Sequence, residues 1–570
     1  MRFRKTRLLN LLAIGSFTVA YSAVLTCSSF AANGDGGIII ERVSGKKSGS
    51  IKDIIGLLER EQAANIPLRH AKGLQLFYIE RDFEPFWIDG DRLNDEGEFL
   101  LRELQNAWTH GLNPNQYRVN ILKNLSEKRG DKDAMRSFEV LMSDAYVSYV
   151  HDITGIRVDP KFMRSEGRYW KHAAPDQDAL SALQGDGVED ALTSFIPKGA
   201  TYTALRDELI KLYKNFDDDQ KKYGRSFIAL NGSLSLYDES EAVPKIRARL
   251  GVDADDYAGA HANVYDQKLQ EAVVAFQMEN GLVADGIIGQ QTVDSLNRSP
   301  MDKIYQIIAN LERLRWVNEN KPDKFVLVNI PSAMLWAVED GRVAFDMPVI
   351  VGRTKRETNI FITDITGVRL NPTWTVPPTI KKEDILPKLI EDPGYLADKG
   401  MDLVYGSGEE QVTLDPLMIN WSEMTGADLS RMRMVQTPGA HNPLGAVRVL
   451  MPNGYNIYLH DTNEKHYFNR SSRAISSGCI RMKDPLRMAD FILSGKKGWD
   501  RQRIEQVIAE GKLRDIYIQD TIPVYLVYQT AWLDADDHVI LGRDIYNYDR
   551  ILITELAKLD QIMIPVQSGN

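Results

Sequence analysis

Helical spacing in the first half of the chain, strand spacing from Lys324 onward, and a long stretch without strand character inside the second half together predict a multi-domain α+β protein. Residues 51–233 read as a helical scaffold domain, 234–298 as a small three-helix domain, and 299–323 as a helical connector. Residues 324–535 read as an antiparallel β domain with a lid inserted at about 380–435, and 536–570 as a C-terminal extension. At 570 residues the chain is too long for one hydrophobic core.

The first element is a targeting segment. Arg2, Arg4, Lys5 and Arg7 give a cationic start, Leu8 to Leu25 an apolar run, and Ser29-Phe30-Ala31 a small-x-small cleavage pattern. Polar interruptions at Asn10, Ser16, Thr18 and Ser22 favour an export signal over residues 1–31, with an uncleaved inner-membrane anchor as the alternative. Thr26 before Cys27 fits a lipoprotein acceptor poorly. Residues 32–50, rich in Gly, Ser and Lys, read as a flexible leader.

In the scaffold, Leu74, Phe77, Tyr78 and Phe83, then Leu100, Leu104 and Trp108, recur at helical intervals and read as core. His110-Gly111-Leu112-Asn113-Pro114 and Ala174-Pro175 break the helices. The small domain runs through Ile246–Gly251, Tyr265-Asp266, Ala272–Gln277, Gly281–Gly289 and Thr292–Asn297. Its glycines suit turns that need positive φ, so the pattern shows fold more directly than binding.

Strands follow at Phe325–Ile330, Met334–Val338 and Val343–Gly352, joined by short polar turns. Val447–Leu450 and Ile457–His460 form a further hairpin across Pro452-Asn453-Gly454. The interval Ile380–Arg433 mixes charge, proline and short helical stretches, as a lid over an active site does. Strand returns at Ile516–Val527 and Val539–Leu541, and Ile551–Leu559 suggests a terminal helix.

Composition narrows the function. The net charge of -10 argues against nucleic acid as a partner. Neither a P-loop nor a Rossmann glycine fingerprint nor zinc-ribbon cysteines occur, so no cofactor or metal is expected. His460, His466 and Cys479 match no common zinc spacing. The chain has two cysteines, and loss of a signal containing Cys27 would leave Cys479 alone in an oxidising compartment. Such a thiol is either a small buried hydrophobe or a nucleophile.

The neighbourhood of Cys479 favours the nucleophile. Tyr458-Leu459-His460-Asp461-Thr462 is followed by a polar loop and Ser476-Ser477-Gly478-Cys479-Ile480-Arg481. An imidazole near a thiol can take its proton or hold it as an ion pair. Gly478 permits a tight turn, and the amides of Gly478 and Cys479 are candidates for stabilising an oxyanion. Arg481, two residues beyond the thiol, shares its strand face and is suited to a substrate carboxylate. Tyr458 shares the face of His460 by the same alternation.

This segment resembles the catalytic motif of the L,D-transpeptidases, the family with the YkuD-type fold, through His460, Ser476, Gly478, Cys479 and Arg481. Many members have a His before the Gly, where Ser477 stands here, and the third group orienting His460 is left unassigned. In many members a backbone carbonyl takes that part. Asn371–Pro378, Pro438–Gly445, Phe77–Trp87 and His110-Gly111-Leu112 resemble the larger, multi-domain Gram-negative branch of the family. The segment 234–298 resembles the peptidoglycan-binding domain appended to many wall enzymes.

The resemblance implies a periplasmic enzyme forming 3→3 cross-links in peptidoglycan. Cys479 would be the nucleophile, His460 the general base and acid, and Gly478 with Cys479 the oxyanion donors. Arg481, Ser477, Ser476, Tyr458 and Trp374 would contact substrate, with Trp374 at the rim. Peptidoglycan stem peptides are the implied partners, with wall synthases or carboxypeptidases as further candidates and carbapenem β-lactams as covalent inhibitors. A cysteine carboxypeptidase or hydrolase of wall peptides and a non-catalytic wall-binding scaffold are the competing readings.

Overall fold

A computed structural model describes residues 49–563, apart from 129, 167–169, 224–225, 253–260, 318–320 and 407. The expected signal segment, Cys27 and nearly all of the leader lie outside the described residues. The described residues from 50 onward form one compact unit.

The scaffold is built around the helix Lys132–Thr154, called α2, which is buried along nearly its whole length. The Asp131 carboxylate caps its start by accepting from the amides of Asp133 and Ala134. Against it packs α1, Ala71–Glu80, burying Leu74, Phe77 and Tyr78. Glu139, fully buried in α2, accepts from the Tyr78 hydroxyl at 2.7 Å and from the amides of Phe86 and Trp87. The Phe77–Trp87 stretch is therefore the wrapping of a buried carboxylate, and burial raises the Glu139 pKa.

Three helices, Val243–Leu250, Gln267–Glu279 and Gln290–Leu296, form the small domain around Ile246, Tyr265, Leu269, Val273, Ile288 and Val293. The long helix Pro300–Arg315, called α4, then packs against the helices Ala200–Lys214 and Tyr548–Lys558. It opens with a Ser299/Asp302 capping box. Near its end Glu312 accepts from Arg157 and Arg315, each at 2.7 Å, and all three side chains are buried. Arg315 also donates to the carbonyl of His110 at 2.9 Å. The His110-Gly111-Leu112 break is thus a docking surface for α4, with Gly111 at φ +69 closing the turn.

The nine-stranded sheet contains β1 (Phe325–Asn329), β2 (Met334–Glu339), β3 (Arg342–Gly352) and β4 (Phe361–Leu370). After the lid come β5 (Val447–Leu450), β6 (Leu459–His460), β7 (Ala474–Ser476), β8 (Ile480–Met482) and β9 (Arg514–Val527). The order is β7-β3-β8-β6-β5-β4-β9-β1-β2, and β2 pairs with β3 to close the sheet on itself. Most pairings are antiparallel, but β6–β8, β7–β3 and β9–β1 are parallel. The antiparallel β domain read from sequence holds for most pairings but not for these three. Long connections, such as 461–479 between β6 and β8, let a strand return in the same direction.

The lid departs from the sequence reading in a second way, because it contains a sheet. Trp374–Thr375, Met401–Tyr405, Val412–Leu414 and Met432–Gln436 pair antiparallel. Val376, Leu389, Leu396, Leu403, Trp421 and Met434 give the lid a core of its own. Short strands interrupted by Gly and Pro hide the alternation that would announce them. At the root, buried Asn442 donates to the carbonyls of Pro372 at 2.9 Å and Thr437 at 3.1 Å, pinning the two crossings together.

Candidate active site

The site forms where β6 and β8 run parallel near the middle of the sheet. Their register pairs Leu459 with Ile480 and His460 with Arg481, and the Ile480 amide donates to the Tyr458 carbonyl at 3.0 Å. Side chains alternate along each strand, so Tyr458, His460, Cys479 and Arg481 project from one face. The Tyr458 and His460 rings lie 5.7 Å apart, edge to face.

His460 is buried, and its Nδ1–H donates to the Asp461 carbonyl at 2.5 Å. A carbonyl only accepts, so the neutral ring carries its lone pair on Nε2. The orienting group left unassigned from sequence is therefore the Asp461 backbone. The Asp461 carboxylate is occupied elsewhere, accepting from the amides of Ala446 and Thr462 and pairing with Lys465. Burial, with Arg481 and Arg448 nearby, drives the His460 pKa down to about 3 against the Asp461 hydrogen bond.

Cys479 is half-buried, and its thiol donates weakly to the Asn456 carbonyl at 3.7 Å. Burial pushes its pKa up, opposed by hydrogen bonds from Tyr458 and by the charges of Arg448 and Arg481. Burial and the neighbouring thiolate carry the Tyr458 hydroxyl to about 12. Of the two possibilities the sequence leaves open, the electrostatics favour a neutral thiol beside a neutral imidazole over a standing ion pair.

The turn before Cys479 is fixed internally. Gly478 has φ +113, a region that disfavours residues bearing Cβ. Its amide donates to Ser476 Oγ at 3.1 Å, and that hydroxyl donates to the Cys479 carbonyl at 2.6 Å. Ser476 is buried and supports the turn, and the Gly478 amide is engaged by it, while the Cys479 amide is a candidate oxyanion donor. The Gly478 carbonyl accepts from Thr358 Oγ1 at 2.7 Å, and Tyr546 accepts from the Thr358 amide at 3.2 Å.

Arg481 forms an ion pair with Glu464 at 2.7 Å, so a substrate carboxylate would have to compete for it. Ser477 is exposed and accepts from Arg356 at 3.0 Å. Trp374 lies in the lid sheet, opposite Gln436, and packs on the lid core.

Sequence reasoning missed four contributors. Arg448 stands opposite His460 in the β5–β6 register, with its guanidinium 3.9 Å from the centre of the Tyr458 ring and a buried Nε without a partner. Arg356 joins Ser477 to lid residues Glu383 and Asp384. Thr358 and Asp461 complete the set. Only Asp461, adjacent to His460, offered any local signal; the others are ordinary strand or loop positions until the chain folds.

A thiol and a tautomer-fixed imidazole on one face of a closed sheet suit a nucleophilic acyl-transfer centre. Residues 323–505 match the family model of the L,D-transpeptidase catalytic domain (YkuD). Residues 72–209 match the family described as "Scaffold domain", and 248–296 that described as "Putative peptidoglycan binding domain". The chain carries a YkuD-type L,D-transpeptidase catalytic domain joined to a peptidoglycan-binding domain. A Haemophilus influenzae protein named "Putative L,D-transpeptidase" is 34% identical over 276 residues, covering 47% of this chain and 54% of the relative. The chain thus spans about half the length of the curated relative it matches.

Among solved structures it is similar to an L,D-transpeptidase from Xylanimonas cellulosilytica, with 14% identity and a TM-score of 0.18 over 52% of this chain and 99% of that one. It is also similar to one from Mycobacterium smegmatis, with 11% identity and a TM-score of 0.18 over 36% of this chain and 58% of that one. The family models, not these low-scoring superpositions, carry the assignment.

Proposed function

We propose that this protein is a cysteine acyltransferase of the cell envelope that forms 3→3 cross-links between peptidoglycan stem peptides. The observation that carries the reading is the β6–β8 register, which sets Cys479 and His460 on one face with the basic Nε2 of His460 unengaged by the backbone. In the first step Cys479 Sγ attacks the carbonyl linking meso-diaminopimelate to the terminal D-alanine. His460 Nε2 takes the thiol proton as the S–C bond forms. Collapse of the tetrahedral intermediate breaks the C–N bond, and His460 returns the proton to the departing D-alanine amine. In the second step a side-chain amine of another stem attacks the thioester, His460 takes its proton, and the thiol is restored.

Arg448 and Arg481 make this face cationic, which suits the carboxylates of a stem peptide. The Cys479 amide serves the oxyanion. Arg356, bound to Ser477 on one side and to Glu383 and Asp384 on the other, holds the lid against the turn that carries the thiol. Carbapenems are expected to acylate the same thiol. The substrate places the protein outside the cytoplasm, and among the described residues no helix is long and apolar enough to cross a membrane.

Incubation with a disaccharide-tetrapeptide tests the reaction. A new peptide dimer with release of D-alanine supports transpeptidation. Shortened monomers alone would replace it with a hydrolase.

A further inference from the structure

The scaffold contains a second convergence of chemistry-bearing side chains. His70, just before α1, His151, in the last turn of α2, and Asp176, in the first turn of the helix Asp176–Ala182 (α3), bring potential ligand atoms within 4.8 Å of one another. His70 Nδ1 lies 3.2 Å from Asp176 Oδ1 and 3.3 Å from Oδ2. His151 Nε2 lies 3.0 Å from the same Oδ1, and the two imidazoles meet edge to face at 4.7 Å.

The protons can be assigned. Ser148 donates its single hydroxyl proton to the Asp144 carbonyl at 2.8 Å. Its oxygen is 3.1 Å from His70 Nε2, so His70 must be the donor in that contact. A neutral His70 then turns the lone pair of Nδ1 toward the Asp176 carboxylate. The His151 Nε2 atom is buried and makes no hydrogen bond of acceptable geometry, although it too faces Asp176. Two imidazole nitrogens and a carboxylate therefore converge, and one of those nitrogens is buried with no hydrogen bond.

A cation resolves that arrangement. Ligand distances of about 2.0–2.2 Å in a tetrahedron put neighbouring donors roughly 3.3 Å apart, close to the two histidine–carboxylate separations. An imidazole whose other nitrogen donates to a fixed oxygen is the usual form of a metal-bound histidine. The Asp144 carboxylate is already taken by the amides of Arg69 and His70 and by Arg118, so it is not a further ligand.

We propose that His70, His151 and Asp176 bind a divalent transition-metal ion, zinc by the chemistry of the donors, with water completing the coordination. The side chains are 12%, 30% and 31% exposed, which admits both ion and water. The ion would tie the start of α1, the end of α2 and the start of α3 into one staple. Gly73 already brings α1 tight against Asp176, since a Cβ there would meet the Asp176 Cβ at 2.8 Å. This departs from the expectation of a metal-free chain, which considered only the histidines near Cys479.

The test uses the full chain without an affinity tag, stripped with chelator, dialysed against zinc chloride alone and assayed for bound metal and melting temperature. One zinc per chain and a raised melting temperature are expected, with cobalt giving the visible absorption of a tetrahedral site. Cys479→Ala should keep the metal, whereas His151→Ala and Asp176→Asn should lose it. Ser148→Ala should weaken binding about tenfold. Should His151→Ala fail to fold, the near-isosteric Asp176→Asn still reads the site. A chain that retains no zinc, or that retains it equally in Asp176→Asn, overturns the proposal and leaves a histidine–carboxylate ion pair.

Discussion

At the scale of single residues, the proposed reaction starts from a neutral imidazole and a thiol on the same face of the sheet. With the His460 pKa down at about 3, the imidazole stays an acceptor far below the ordinary histidine value of 6.5. The sign follows directly. The rate should fall on the acid side only as pH approaches that depressed value, and it should rise on the alkaline side as the thiol, whose pKa is raised, begins to ionise. A pH profile of carbapenem acylation checks this, and an acid limb centred between 6 and 7 would contradict it. Tyr458→Phe removes a hydrogen bond that stabilises the thiolate, so it should slow acylation by roughly tenfold, the size of one hydrogen bond to a charged group. Circular dichroism should be unchanged. His460, Cys479 and Arg481 were legible because a short motif states them together. Arg448 was not, because its relation to His460 exists only through the β5–β6 register.

At the scale of elements, the turn Ser476–Cys479 and the lid set the geometry. Gly478→Ala places a Cβ at φ +113, a strain of about 1–3 kcal/mol, and should displace the thiol while leaving the fold intact. Loss of acylation with little change in melting temperature is the expected reading. Arg356→Ala cuts the link between Ser477 and Glu383/Asp384. Hydrogen exchange should then quicken in 381–385 and in the turn, with a weaker effect elsewhere. The lid was visible in sequence as an interruption of strand spacing. Its sheet was not, because Val412–Leu414 and Trp374–Thr375 are too short to show alternation. The parallel pairing of β6 with β8 was equally hidden, since direction is decided by the connection and not by the strands.

At the scale of the whole molecule, α4 binds the parts together. Glu312 is fully buried between Arg157 of the scaffold and Arg315. Burial opposes its ionisation, but the two arginines outweigh burial and hold the carboxyl at about 2. Its contribution to stability is present above the ordinary carboxylate value and is lost as pH falls toward 2. Glu312→Ala leaves two buried guanidinium groups without their partner and should destabilise the protein by about 3–5 kcal/mol in denaturant unfolding. The small helical domain meets the same assembly, with Gly281 packed against Trp532 and Ile540. A helical connector was read at 299–323, where α4 lies, whereas the buried charges within α4 look like ordinary surface residues in sequence. The central claim is that Cys479 carries the acyl group. Intact-protein mass spectrometry after mixing with a disaccharide-tetrapeptide tests it most directly. A mass gain equal to the donor minus D-alanine, mapped to Cys479 and absent from Cys479→Ala, is the predicted result. Cross-linked product formed by Cys479→Ala at the parent rate would contradict the account.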